Sequence, residues 1–403
     1  MAILETKKTV GIIGGGIIGC SIAYHLRLHS EVTAFLIEKS QIGSGITARS
    51  AGTVCLLDDS IPEKLFDLRV LALKEYIGLE KNSTGSTGFH QTGSLVISDS
   101  RDRLDAIRRA VELSQQRSLS AEFLDSADKI KRIVPALNEA GIAGGGYTPE
   151  DGYFDPTAIA VTYASEASMR GARILTGTKA TRILRTGKRV SGVETTNGNF
   201  NFDLVINAAG AWAHKINQMV PLDLPLWHSK GNVFILRPSA RLEYNLPILS
   251  CPTFYVRPEG SRFFACAHPP SANESMGAEI ILDPDALPLP GGTESHALEF
   301  MANEITQKIP VLANSSVVND WLAYRMETKD GLPIVGESPV PGFMLAVGLG
   351  HSGVMLAPAV GMALAESIAA GSRSTLNNPI LADLLAEFEV GRLCRENGFI
   401  SLT

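Results

Sequence analysis

Thirty residues near the start of the chain, Thr9 to Glu38, restrict what it can fold into more than any other stretch. A short apolar run, Val10-Gly11-Ile12-Ile13, meets the glycine turn Gly14-Gly15-Gly16-Ile17-Ile18-Gly19. An amphipathic segment from Cys20 to His29 follows, and a second apolar run, Val32 to Ile37, ends on Glu38. That is strand, tight turn, helix, strand. Gly14 permits the turn, Gly16 leaves room for a pyrophosphate against the backbone, and Gly19 lets helix and sheet pack closely. The helix N-terminus offers free N–H groups and the positive end of its dipole to phosphates. Glu38, 19 residues past Gly19, is placed to accept hydrogen bonds from an adenosine ribose, and its charge argues against a 2′-phosphate there. The pattern predicts dinucleotide binding and leaves FAD and NAD both open.

A chain of 403 residues exceeds what one ordinary core holds, so two domains are expected. Its net charge of −6 and its basic clusters, interleaved with acids and apolar residues, argue against nucleic-acid binding. Five cysteines, Cys20, Cys55, Cys251, Cys266 and Cys394, form no C-x-x-C pair, so neither a disulfide framework nor a structural zinc site is indicated. No signal-peptide pattern or transmembrane segment is read at the N-terminus, where the first apolar run is broken by glycines. A cytoplasmic location is expected, with peripheral membrane contact left open.

Beyond the second strand lies a small-residue loop, Gly43 to Thr53, whose hydroxyls and position at a strand's carboxyl end suit a further anion or ribityl contact. Helices are predicted from Pro62 to about Leu79, over Asp102–Arg117, over Asp125–Ile133, and from Pro156 to about Met169. In the last of these Asp155 caps a first turn that Pro156 can occupy. Thr196-Asn197-Gly198 predicts a hairpin, and Leu204 to Asn207 a buried parallel strand ending in Ala208-Ala209-Gly210-Ala211-Trp212. Past Leu226 the strands alternate or carry aromatics, which predicts a mixed or antiparallel sheet roofing a cofactor. The strand Phe343–Val347 and the loop Gly348 to Gly353 then feed a helix to Ala370, with Pro358 tolerated if its missing donor is a first-turn orphan. The chain thus returns to the nucleotide domain at its end. The fold class is α/β, a Rossmann-like FAD-binding domain with a second, mixed or antiparallel substrate domain. The expected division is 8–80, 140–220 and 325–375 for the first, 81–139 and 221–324 for the second, and 376–403 as a tail.

Taken in order, these segments closely resemble the FAD-dependent amino acid and amine oxidoreductases of the D-amino acid oxidase superfamily, in particular the glycine oxidase and sarcosine oxidase branch. The glycine turn with Glu38, the Ser44–Gly52 loop, Asp151-Gly152 with Asp155-Pro156, and Asn207 to Trp212 carry the likeness. So do Tyr255-Val256-Arg257-Pro258-Glu259-Gly260, Arg325 with Thr328 to Pro333, and Gly348 to Gly353. The joint order selects FAD over NAD. The resemblance implies that Gly14, Gly16, Ile17, Ile18 and Gly19 hold the pyrophosphate, with Glu38 and Lys39 at the adenosine ribose. Ser44, Thr47, Ala48, Ser50, Ala51 and Gly52 are implied along the ribityl and flavin face, and Ala180 beside the adenine. Ala209, Gly210 and Trp212 are implied to close over the cofactor, and Gly350, His351, Ser352, Gly353, Val354 and Met355 to put backbone donors at the ring's pyrimidine edge.

On the substrate side the resemblance implies that Arg325 pairs with a carboxylate and that Tyr255 assists it. His268 is a candidate facing the ligand, His351 a candidate acid or base beside its backbone role, and His228 a candidate at the entrance. A planar guanidinium fork fixes both distance and roll of a carboxylate. The place of the flavin-linking cysteine of monomeric sarcosine oxidases falls near Ala323, so FAD is expected to be non-covalent, and no metal is expected. Tyr324 and Met326 stand where relatives carry glycine and proline. The implied activity is oxidation of the C–N bond of an amino acid or N-substituted amino acid to an imine. Oxygen, a quinone or a partner redox subunit would take the electrons. The alternatives are a FAD-dependent 2-hydroxy acid dehydrogenase and a non-catalytic flavin-binding subunit.

Overall fold

The computed structural model describes residues 7–57, 63–240, 242, 245–267, 281–286, 293–371, 376 and 378–393. Six strands form the nucleotide sheet, in the spatial order Ile334–Glu337, Phe343–Val347, Leu204–Asn207, Lys8–Ile13, Val32–Ile37 and Arg173–Leu175. All pair in parallel except the first, which runs antiparallel to its neighbour. Alternation along Lys8–Ile13 divides the core. Val10 and Ile12 join the helices Ile17–Leu26, Phe66–Asn82, Pro156–Met169 and Gly353–Ala370 on one face. Ile13, Ile37 and Val205 pack on the other face against the antiparallel strands Ala180–Thr186 and Arg189–Thr195. Gly11 belongs to that second face, where any Cβ would enter the Phe202 ring.

Helix starts follow their sequence signals. Asp155 accepts from the N–H groups of Thr157 (2.8 Å) and Ala158 (3.0 Å), with Pro156 in the first turn. The helix Ile17–Leu26 crosses Gly353–Ala370 at Gly361, whose missing side chain admits Ser21 and His25. Ser21 donates to the Ala357 carbonyl at 2.7 Å across that crossing. By length and composition Gly353–Ala370 could cross a membrane, but here it is a core helix with most of its residues buried.

Eight strands form the second sheet: Ser316–Thr328, Leu226–Arg237, Arg262–Ala267, Phe254–Glu259, Ile248–Ser250, Ser94–Ser98, Gly144–Thr148 and Glu122–Leu124. The sheets divide the chain elsewhere than at 140 and 325: Gly144–Thr148 and the whole of Ser316–Thr328 pair in the roof. Likewise the stretch read as a tail contains the helix Pro379–Glu387, which packs on the long C-terminal helix. One face of the roof, with Leu95, Phe234, Phe254, Val256 and Ala265, packs under the helix Ser295–Lys308 through Ala297, Met301 and Ile305. The opposite face looks at the nucleotide sheet. Pairing aligns a cross-strand row on it, Trp321–Val233–Cys266–Tyr255–Ser250–Val96. Arg325 lies on the same face by strand alternation, four residues along from Trp321.

Candidate active site

Between the two sheets lies a cavity of about 1290 Å³. Its nucleotide arm is lined by Gly14, Gly16, Ile17, Ile18, Glu38, Lys39, Ala180, Ala209, Gly210 and Trp212. Ser44, Thr47, Ser50, Ala51 and Gly52 continue the wall, and Gly350, His351, Gly353 and Val354 close it from the C-terminal loop. Gly19, Ala48, Ser352 and Met355 do not line it. Gly19 is instead the close-packing residue of the turn, where a Cβ would run into the Gly14 carbonyl. Ser352 stands at the N-terminus of the long helix, and Met355 is buried in the core. His268 lies outside the described residues.

The glycine turn is built as its spacing predicts. Gly14 has φ +114°, a conformation L side chains rarely adopt, and it sits against the Ala208 backbone. Glu38 braces the turn: its carboxylate accepts from the N–H groups of Gly15 and Ser40, each at 2.7 Å. Thr47 accepts from the N–H of Ile17 at 3.0 Å, which fastens the second loop to the helix start. Strand-end crevice, positive-φ glycine and acid together fit a dinucleotide whose phosphates meet backbone N–H groups and whose ribose meets Glu38. The residues present therefore suit FAD.

The segment from Arg49 to Leu56 crosses beneath the roof and is tied to it in two places, and to the loop after Gly144–Thr148 in a third. Trp321 Nε1 donates to the Arg49 carbonyl at 3.2 Å, and Arg257 Nε donates to the Ala51 carbonyl at 2.7 Å. Leu56 donates its N–H to buried Asp151 at 3.0 Å. Arg257, only 3% exposed, also stacks on Tyr153 and Phe264. It is the strut between roof and flavin loop, and the Tyr-x-Arg-Pro pattern was its one signal in the sequence.

Arg325 enters the cavity from the roof's edge strand. Its guanidinium carbon lies 3.6 Å from where a Cβ on Gly231 would stand, so the group packs directly over that glycine. A lone glycine inside a strand signals such a close approach. Nη2 donates to the Lys230 carbonyl at 3.2 Å, and Nε is buried without a hydrogen-bond partner. Glu327 and Asp330, the nearest acids in sequence, are engaged elsewhere. Glu327 accepts from Ser229 at 2.7 Å, and Asp330 pairs with Arg392 at 2.6 Å. Tyr255 lines the same chamber, stacked on Phe264, and burial pushes its phenol well above the usual value, keeping it neutral. Cys55, Ser94, Ile248, Ser250 and Cys251 extend the wall beyond it.

Tyr324 and Met326 point to the opposite face of their strand from Arg325. Tyr324 lies near His228, with centroids 6.2 Å apart, and Met326 is core. His228 is not an entrance residue. It is buried, with Nε2 2.8 Å from the Ala211 carbonyl and Nδ1 accepting from the Leu282 N–H at 3.1 Å. That pairing fixes the neutral tautomer with the proton on Nε2. Burial pushes its pKa down, in keeping with the neutral form. His351 is exposed at the cavity's edge.

Comparison with known proteins places this geometry. The chain is 29% identical over 378 residues to the mitochondrial sarcosine dehydrogenase of Homo sapiens, covering 91% of this chain and 40% of that protein. Against the glycine oxidase of Geobacillus kaustophilus it is 25% identical, over 90% of this chain and 93% of the relative. The crystal structure of L-proline dehydrogenase from P. horikoshii superposes with a TM-score of 0.78 at 26% identity, covering 97% and 99% of the two chains. The chain spans well under half the length of several of the curated relatives it matches. With a family model matching residues 9–367, the chain belongs to the FAD dependent oxidoreductases of the DAO family.

Proposed function

We propose that this chain oxidises the C–N bond of an amino acid or N-substituted amino acid whose carboxylate is held by Arg325. One observation carries the reading: a guanidinium lines the cavity with Nε buried and unpartnered, and no carboxylate pairs with it among the described residues. A buried Nε–H without an acceptor is costly, and a substrate carboxylate would satisfy it while fixing its own orientation on the partly buried guanidinium. FAD, when bound, supplies the two-electron acceptor that takes hydride from the carbon beside nitrogen, and water then converts the imine to an oxo acid and an amine or ammonia.

The chain's own residues supply position and exclusion. Arg325 sets the distance and roll of the substrate, and neutral Tyr255 can donate to the same carboxylate. The roof strands and the crossing segment wall the chamber from bulk water through Trp321 and Arg257. Sarcosine, glycine and proline, for which the three relatives are named, are all carboxylate-bearing amines, which supports this class. Anaerobic bleaching of bound flavin across a panel of D- and L-amino acids, N-methyl amino acids, proline and 2-hydroxy acids tests it. Bleaching by amines is expected. Bleaching by hydroxy acids alone would overturn the reading.

A further inference from the structure

The glycine turn lies at the carboxyl end of Lys8–Ile13, between two neighbouring strands. Val32–Ile37 on one side leads to Lys39, and Leu204–Asn207 on the other leads to Trp212 and Lys215. The two strands end on opposite banks of the crevice, about two strand spacings or ~10 Å apart. Asp285, far along the chain, joins the banks. Its Oδ1 receives Lys39 Nζ at 2.6 Å and Trp212 Nε1 at 2.7 Å, and its Oδ2 receives Lys215 Nζ at 2.8 Å. Lys39 Nζ also lies 3.9 Å over the Trp212 ring.

The segment Ile281–Ala286 has two more anchors. Asp283 pairs with Lys215 at 2.7 Å, and the Leu282 N–H is held by His228. Pro284, Asp285, Lys39, Trp212 and Lys215 all line the nucleotide arm of the cavity. Two ammonium groups and an indole N–H on one carboxylate hold Asp285 far below the usual carboxylate range, so it stays charged.

We propose that Asp285, with Lys39, Trp212 and Lys215, is a clasp that retains the flavin nucleotide, a cofactor-holding site separate from the glycine turn. It rests on the family's use of FAD. Ligands of open α/β sheets enter outside the carboxyl ends of the strands, where the Asp285 bonds form a bar. The nucleotide leaves only after the bar opens, so the clasp acts on release. Its charged groups are partly exposed, so dissolved salt weakens it.

The test is the rate at which FAD fluorescence recovers after dilution of the holoprotein. Asp285→Asn should release FAD about tenfold faster, the scale expected of two partly exposed ion pairs. Raising the salt concentration should speed release more from the wild type than from Asp285→Asn, which keeps only the Asp283–Lys215 pair. Trp212→Phe keeps the ring and loses only the donor, so it tests the same carboxylate where Asp285→Asn lowers the apoprotein's thermal midpoint. It should speed release several-fold, within the range of a single lost hydrogen bond to a charged group. Wild-type release rates in both variants overturn the clasp. A wild-type chain that binds no FAD would overturn the cofactor assignment beneath it instead.

Discussion

Tyr76 donates its hydroxyl proton to the carbonyl of Val354 at 2.5 Å, and Pro358 is the reason that carbonyl is free. In an α-helix the N–H of residue 358 would bond to the carbonyl of residue 354, but proline has no N–H. Tyr76 is fully buried, so its hydroxyl reaches the gap from the neighbouring helix Phe66–Asn82 without water. The bond fixes the first turns of the helix that follows the Gly350–Gly353 loop.

Tyr76→Phe therefore leaves a buried carbonyl unpaired, at a cost of about 1–3 kcal/mol in denaturant unfolding. In a Pro358→Ala background the ladder bond can reform, and the same substitution should cost clearly less. Equal costs in both backgrounds would separate the tyrosine from the proline.

Gly231 is graded by the guanidinium above it. A methyl group there stands 3.6 Å from the Arg325 guanidinium carbon, an ordinary contact, so Gly231→Ala should leave kcat/KM near the wild-type value. Gly231→Val pushes the fork aside, and a misplacement of that kind costs roughly 10²-fold in kcat/KM. Steady-state kinetics on a carboxylate-bearing amine decide this.

Asp151 is fully buried, accepts from Ser94 at 2.5 Å, and burial raises its carboxyl to about 7 from 3.8. Because the folded protein holds this proton and the unfolded chain does not, stability attributable to Asp151 falls as pH rises from 4 to 7. The loss is at most about 4 kcal/mol. Asp151→Asn should flatten that slope in thermal melts, and an unchanged slope would remove Asp151 as its source.

The expected non-covalent flavin has a direct check. Acid precipitation should leave the yellow colour in the supernatant, because no cysteine stands near Ala323 in sequence. Cys55, Cys251 and Cys266 do line the cavity, so colour in the pellet would direct attention to those thiols.

Local signals were legible in the sequence. The glycine turn, the Asp155-Pro156 start and the buried strand Leu204–Asn207 each rest on residues within a few positions of one another. Pro358 was harder: it stands sixth in its helix, past the first-turn orphans, and its remedy lies on Tyr76, 278 residues before the Val354 carbonyl that it bonds. The same limit hid the clasp, since Asp285 meets Lys39 across 246 positions with no motif to announce it. His228 beside Trp227 suggested an entrance, and only the fold shows both ring nitrogens occupied. Strand 144–148, expected in the nucleotide domain, joins the roof through pairing with 94–98 and 122–124, which short-range patterns do not encode.

The most direct measurement is anaerobic, stopped-flow reduction of bound flavin by an amino acid that bleaches the wild type, repeated with Arg325→Met. The account predicts that the variant keeps its FAD and loses roughly two to four decades of reduction efficiency, as removal of one side of a buried charge pair implies. It further predicts that the loss shrinks for an amine lacking the carboxylate. Wild-type efficiency in Arg325→Met, with FAD fully bound, would contradict it.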